Sequence, residues 1–500
     1  IITGLVGSEM CIRDSSRGEK RSASPGLLAS MKRNNVTGKG LEILEHIANL
    51  TVETEDPEAR TGFLVARLIP PKERKKTKKA PRPKDGDKNL AFNQCSPEIQ
   101  AGLRKTRAAE WRKWKSFNAG VILTKEEVSA LLDEGHKVYP MQWIETDKNA
   151  HLRRADNNIP PELKSRLVGC GNFEDADGLR TDSPAGDVDA HNLVFSWCAS
   201  NRVKIRSADI SSAYLQGKQN DRLILYRIPK GGIPEEGINE GDVLAARVPI
   251  YGTKDAGRGF WLRLKEEVLA QGYTLNQILP TVFTLRENGK IVSVLSSNVD
   301  DLLYGYLEEH AAPVKRILDT FKVREENEMK FRFCGKEVLQ HEDFSISITA
   351  RDNTEKIKPI NIGKDRRGND KCNSGETTAL RSVVASLSWI ARQVRPGLSY
   401  RVSKLQSVAG NGKVKDMRAC NKVLEYVQST SSQGIFFSSH GVNWDDMVVL
   451  SISDASFQQE SIIVDGEVED GRSQQGYLIC LAPNGISNLT DAYILSLIHI

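Results

Sequence analysis

Three aspartates set the chemistry this chain could do. Asp300 and Asp301 stand side by side in the stretch Ile291–Tyr306, IVSVLSSNVDDLLYGY. There an apolar, β-prone run (Ile291, Val292, Val294, Leu295) reaches the polar tip Ser297-Asn298-Val299-Asp300-Asp301, then resumes as Leu302-Leu303-Tyr304. Two such runs joined by a short polar tip predict a hairpin. Side chains alternate faces along extended chain, so only one of the two carboxylates can point fully at a shared partner. The expectation is that Asp300 does, and that the partner is a magnesium ion also held by Asp209, roughly 90 residues earlier. Magnesium prefers oxygen ligands and keeps waters, so a few carboxylates suffice. A pair of such ions ~3.5–4 Å apart is what phosphoryl transfer to a hydroxyl requires. Each part alone is ordinary: Asp-Asp at a turn is common turn chemistry, and an Asp at a strand end is commoner still.

Rigid neighbouring strands are the natural way to aim such groups. Val203–Ile210 alternates and places Asp209 near its carboxyl end, on the face of Val203, Ile205 and Ser207. Tyr214 follows five residues after Asp209. Lys164-Ser165-Arg166-Leu167-Val168 reads as a strand entering the glycines Gly169 and Gly171. Its Lys and Arg share a face, which is a solvated edge if exposed or a phosphate clamp if it lines a site. A glycine-rich turn, Tyr251–Gly259, leads into an amphipathic helix from Phe260 to Ala270, and its glycines permit close backbone approach to a ligand or duplex. Neither GxGxxG nor GxxxxGK[ST] is present there.

Size and composition frame these elements. The chain has 500 residues, too many for one core, which suggests roughly two to four domains. With 39% hydrophobic residues it can fold, while 27% charged residues imply long solvated segments. A net charge of +5 allows nucleic acid as a partner without demanding it. The eight cysteines are scattered, with no CxxC and no zinc spacing, as in reduced intracellular thiols. No run approaches the ~18 apolar residues of a membrane span.

Along the chain, Lys39–Leu50 has helical apolar spacing, and 70–88 is a basic, proline-rich linker, either a tether or an arm for phosphates. Ser96 and Pro97 open a helix reaching Gly120 whose Trp111, Trp114 and Phe117 read as core. Further helices are predicted at Thr124–Leu132, Ser183–Ser200, Pro313–Thr320, Thr378–Gln393, Leu398–Ser407 and Asp416–Ser429, and a β-rich piece from Val448. The ends Ile1–Ser15 and Leu495–Ile500 fit no neighbouring element and resemble translated library adapter, so they are set aside from the fold reading as artefactual ends.

The motifs together carry a resemblance. SADISSAYLQG (Ser207–Gly217) resembles the first catalytic motif of reverse transcriptases, D-x-x-x-A-(F/Y), and NVDDLLYG (Asn298–Gly305) resembles their YVDD motif. KSRLVGCG, IYGTKDAGRGFW and LRSVVASLSWIARQVRPGLSYRVSKL look like the K-A-R-L-V-A-R-G, L-Y-G-L-K-Q-A-P-R-A-W and Y-R-S-L-V-G-S-L motifs of copia-type LTR retrotransposon polymerases, in that family's order. VLSISDASF and SQQGYLICL are similar to the start of the tethered ribonuclease H.

The resemblance covers about Asn93 to Leu481. It implies an α+β right-hand polymerase fold with fingers, palm and thumb and an antiparallel palm sheet. Fingers and palm would occupy 90–345, thumb and connection helices 346–445, and a partial ribonuclease H-like segment 446–494, after a basic region at 16–89. It implies RNA- and DNA-directed DNA synthesis with two Mg²⁺ ions (or Mn²⁺) on Asp209, Asp300 and Asp301, the last less directly. Tyr214 would lie under the incoming sugar, and Arg166, with Lys148 second, would contact the triphosphate. The turn from Gly252 through Asp255 and Arg258 would line nucleotide and template, and Asp454 would match a ribonuclease H metal ligand on an inactive stub. The partners would be primer-template and dNTPs, with no membrane, in a cytoplasmic particle and the nucleus. Three departures stand out: Asn298 replaces a Tyr, Asp255 a Gln and Gly257 a Pro. An added carboxylate near a triphosphate opposes binding unless it points away. The alternatives are a decayed element that binds primer-template without catalysis, and an unrelated magnesium-dependent nuclease.

Overall fold

A computed structural model describes residues 89–153, 157, 159–175, 178–439, 444–455, 460–464, 467–472, 475–484 and 493–499. The expected helix at Lys39–Leu50, the basic linker and the segment Ile1–Ser15 lie outside the described residues. The described chain is a mixed α/β structure with several sheets.

The first helix, Pro97–Ser116, starts where the sequence requires: the Ser96 hydroxyl accepts from Ile99 N at 3.4 Å, and Pro97 takes a position with no hydrogen bond to lose. Its Leu103, Trp111 and Trp114 are buried, as expected of core. Against it lies a six-stranded sheet. In that sheet Val138–Asp147 pairs antiparallel with the Arg166 strand, Leu163–Gly169, setting Ile144 opposite Arg166 and Thr146 opposite Lys164.

The second sheet positions the acids. Its order is Val323–Glu328, Arg206–Ile210, Asp301–Tyr306, Lys290–Asn298, Val282–Glu287, Thr274–Leu275, every pairing antiparallel. Alternation divides the strands between two cores. Ala208, Ile210, Leu295, Leu302 and Tyr304 join the side chains of helices Ala256–Ala270 and Ala311–Thr320. Val203, Ile205, Val294 and Leu303 join those of helix Val188–Ser200. This second core continues into a four-stranded sheet (Lys330–Phe333, Lys336–Gln340, Ile346–Thr349, Ile435–Phe437) and the helices Ser374–Gln393, Ser399–Val408 and Val414–Ser429.

Several expectations shift. The Asp209 strand begins at Arg206 rather than Val203. The helix after the glycine-rich turn begins at Ala256, so Gly257 and Gly259 lie in its first turns. Of the adapter-like end, Leu495–His499 lies in a strand. Tyr493–His499 pairs antiparallel with Gln475–Pro483, whose other edge is taken by Met447–Ala455. A short apolar, β-prone run is enough to occupy a free sheet edge. Among the described residues no helix is long and apolar enough to cross a membrane.

Candidate active site

The hairpin forms as its sequence predicts. Asn298 pairs with Asp301, leaving a turn of Val299 and Asp300. Val299 has φ +59°. A β-branched residue in that region is strained by ~1–3 kcal/mol and persists only where its surroundings fix it. Four hydrogen bonds do so here. Ile210 N donates to Asp300 O at 2.8 Å, Gly186 N to Ser297 O at 2.9 Å, Ser297 N to Thr281 O at 3.0 Å, and Asn298 Nδ2 to Cys334 Sγ at 2.9 Å.

The strand register brings the acids together. Asp301 lies directly opposite Asp209, and Glu325 faces Asp209 from the other side. Residues directly opposite share a face with Cα atoms ~4.5–5.5 Å apart. Asn298, Asp301, Asp209 and Glu325 therefore form one row across four strands. Asp301, not Asp300, is the cross-strand neighbour of Asp209, while Asp300 is exposed in the turn above them.

Charge follows from that crowding. The Asp301 carboxyl is pushed up to about 6, first by burial, then by the charges of Asp300 and Asp209, against the pull of Arg324. Asp209 is also raised, by burial first; Arg324 and Lys164 oppose this, and Asp300 and Glu325 add to it. Arg324 Nη2 donates to Asp209 Oδ2 at 2.7 Å. Among the described residues no three acidic, histidine or cysteine side chains are already gathered into a metal cage. The donor set still fits a hard divalent cation. It is all carboxylate oxygen, the charges of Asp300 and Asp209 help raise the pKa of Asp301, and a guanidinium already answers Asp209.

Around the acids, Tyr214 is half-buried in the turn Ala213–Gln216, its ring 5.4 Å from that of Tyr251. Burial and the Asp300 charge raise its phenol, and Arg166 opposes them, so Tyr214 lies within electrostatic reach of both. Arg166 is exposed, with its guanidinium 5.7 Å from the Tyr251 ring centre.

The other expected contacts are engaged elsewhere. Lys148 pairs with Glu162. Arg258 Nη1 donates to Asp182 Oδ2 at 2.9 Å. Asp255 accepts from Arg222 Nη2 at 2.9 Å, and Arg222 also reaches the buried Glu174 at 3.2 Å, so the added carboxylate is neutralised within the protein. Gly252, read as a ligand-approach glycine, approaches the chain itself. It has φ +91°, and a Cβ there would fall 2.2 Å from Gly169 O. Asp454 is exposed in a separate three-stranded sheet.

Two further charged residues act on Asp209: Arg324, which sequence reasoning missed, and Lys164, read there only as half of a strand-face clamp. Lys164 was legible as the same-face neighbour of Arg166. Arg324 carried no signal, because its strand, VREENE, reads as solvated polar chain.

The chain is similar to the retrovirus-related Pol polyproteins from transposons RE2 and RE1 of Arabidopsis thaliana. It is 26% identical over 365 residues to the first and 25% identical over 363 residues to the second, in each case across 69% of this chain. It spans 23% of the length of either relative. No protein-family model matches it. The comparisons and the motif order point the same way, to a likeness with transposon-borne, retrovirus-related Pol polyproteins.

Proposed function

We propose that the chain is the polymerase portion of a copia-type retrotransposon Pol polyprotein, an RNA- and DNA-directed DNA polymerase with a right-hand fold. Fingers and palm would span 90–345, thumb and connection helices 346–445, and a ribonuclease H-like segment 446–494. The observation that carries the reading is the register of Asp301 against Asp209 at one end of an antiparallel sheet, with Asp300 hydrogen-bonded through its carbonyl to the residue after Asp209.

Asp209, Asp300 and Asp301 would hold two Mg²⁺ ions, or Mn²⁺ in their place, which when bound would lower the pKa of the primer hydroxyl and stabilise the transferring phosphoryl group. The chain's own residues do the rest. The exposed Arg166 faces the triphosphate, and Lys164 adds a positive charge on the same strand face. Tyr214, braced edge-on by Tyr251, lies under the sugar and blocks a 2′-hydroxyl. Asp255 is held off the triphosphate by Arg222. Primer-template and dNTPs are the substrates this reading requires.

The test is extension of a labelled primer on an RNA template with Mg²⁺ and dNTPs, beside an Asp300→Asn control. Extension by the parent and a loss of at least ~10²-fold in the variant are expected, since charge stabilisation by a metal is worth several kcal/mol. Equal activity in both removes the assignment. A second reading, primer-template binding without catalysis, has the Arg324–Asp209 ion pair on its side, and it predicts a retarded primer-template with no extension. Shortening of the primer would instead favour a nuclease.

A further inference from the structure

Cys334 and Gly335 form the two-residue turn between strands Lys330–Phe333 and Lys336–Gln340, with φ +47° and +80°. Positive φ at both positions is the arrangement that suits strand twist. This second hairpin is firmly seated. The Phe333 ring lies edge-on to His191 at 5.0 Å, and the fully buried Lys336 ammonium is 3.0 Å from His191 Nδ1 on helix Val188–Ser200. From that support the Cys334 sulphur meets Asn298 Nδ2 at 2.9 Å. Asn298 is the last strand residue before the strained Val299, and it shares a face with Asp301.

We propose that Cys334 is a positioning residue, its thiol holding the Val299–Asp300 turn, and with it the two adjacent acids, through the Asn298 amide. Asn298 is thereby turned to the neighbouring hairpin, so the asparagine does a different job from the aromatic residue the resemblance leads one to expect. The remaining ties of the turn are backbone hydrogen bonds that tolerate sequence change, whereas this one depends on two side chains. That the contact matters for nucleotide addition rests on the polymerase reading. That it holds the turn does not.

The test is amide hydrogen exchange read by mass spectrometry on the full chain, in a peptide covering Ser296–Leu303. Cys334→Ala and Asn298→Ala should each speed exchange there by ~10-fold, with the double variant no faster than either single one. Cys334→Ser, which keeps an acceptor for the amide, should stay within ~3-fold of the parent. Exchange in helix Ala256–Ala270 should be unchanged in all of them. If Cys334→Ala does not fold, Asn298→Ala carries the test from the half-exposed end of the contact. Unaltered exchange at the turn in the alanine variants overturns the proposal.

Nucleotide addition gives a second readout, with kcat reduced by ~10-fold in Cys334→Ala, restored in Cys334→Ser, and the dNTP KM within ~2-fold throughout. A protein that extends no primer yet shows the exchange pattern would remove the polymerase reading and leave the positioning role standing.

Discussion

Replacing Arg324 by Gln should make the acid cluster bind divalent cations more tightly. The guanidinium donates to Asp209 Oδ2 at 2.7 Å, so a cation that uses this oxygen must first displace it. The cost of displacement is bounded by the worth of the ion pair. Arg324 has 62% of its side chain exposed against 21% for Asp209, which places the pair among solvent-screened bridges worth about 0.2–1 kcal/mol. A gain of up to ~1 kcal/mol is a factor of up to ~5 in the metal concentration at half-saturation. Titration calorimetry with Mn²⁺ on parent and variant should therefore show a dissociation constant lower by roughly 1.4- to 5-fold in Arg324→Gln. Thermal unfolding without metal should move little, because the pair contributes little. The Mg²⁺ dependence of primer extension should shift in the same direction. A dissociation constant that is unchanged or higher would refute the reasoning. A raised dNTP KM with unaltered metal binding would assign Arg324 to the triphosphate instead.

Other perturbations follow from the same contacts. Tyr214→Ala should admit ribonucleotides, and unchanged sugar discrimination in single-nucleotide incorporation would remove the role given to Tyr214. Arg222→Ala strands the buried Glu174 and Asp255 together, so urea unfolding should lose roughly 2–3 kcal/mol; a loss within error of zero would contradict the bridging geometry. Burial pulls the Lys336 ammonium down to about 8 from its ordinary 10.5, with Cys334 and Asp187 opposing. The fold favours the neutral amine, so the stabilising contribution is full above 10.5 and is lost as pH falls through about 8. Compared with Lys336→Met, the parent should gain on the order of 3 kcal/mol between pH 7 and 10.5, and a pH-independent difference would refute it.

The acid pair was legible because its signal is local. Alternating apolar residues around a polar tip specify a hairpin whatever surrounds it, and the alternation of Ser207, Asp209 and their neighbours fixes which face the first acid takes. Which of Asp300 and Asp301 stands beside Asp209 was not legible, since that depends on the exact pairing of strands roughly 90 residues apart. Arg324 was missed for the same reason: its strand is mostly charged and gains its structure by pairing along the edge of the Asp209 strand. The glycines of the 252–259 turn were read for a ligand because close approach shows in sequence while its object does not. For Gly252 the object is Gly169, for Gly257 Ser183 and for Gly259 Pro249. Asp255 looked unfavourable for a related reason, its partner Arg222 lying 33 residues earlier.

The claim beneath all of this is that Asp209, Asp300 and Asp301 converge on divalent cations, and affinity cleavage tests it without reference to activity. Fe²⁺ would be bound in place of Mg²⁺, with ascorbate and peroxide generating hydroxyl radicals at the metal, and the cut sites mapped by mass spectrometry. The account predicts paired cuts flanking Asp209 and the Asn298–Leu302 turn, suppressed by excess Mg²⁺ and absent in a variant with Asp209→Asn and Asp301→Asn together. Cuts confined to other segments, or cuts at the turn that survive both substitutions, would contradict it.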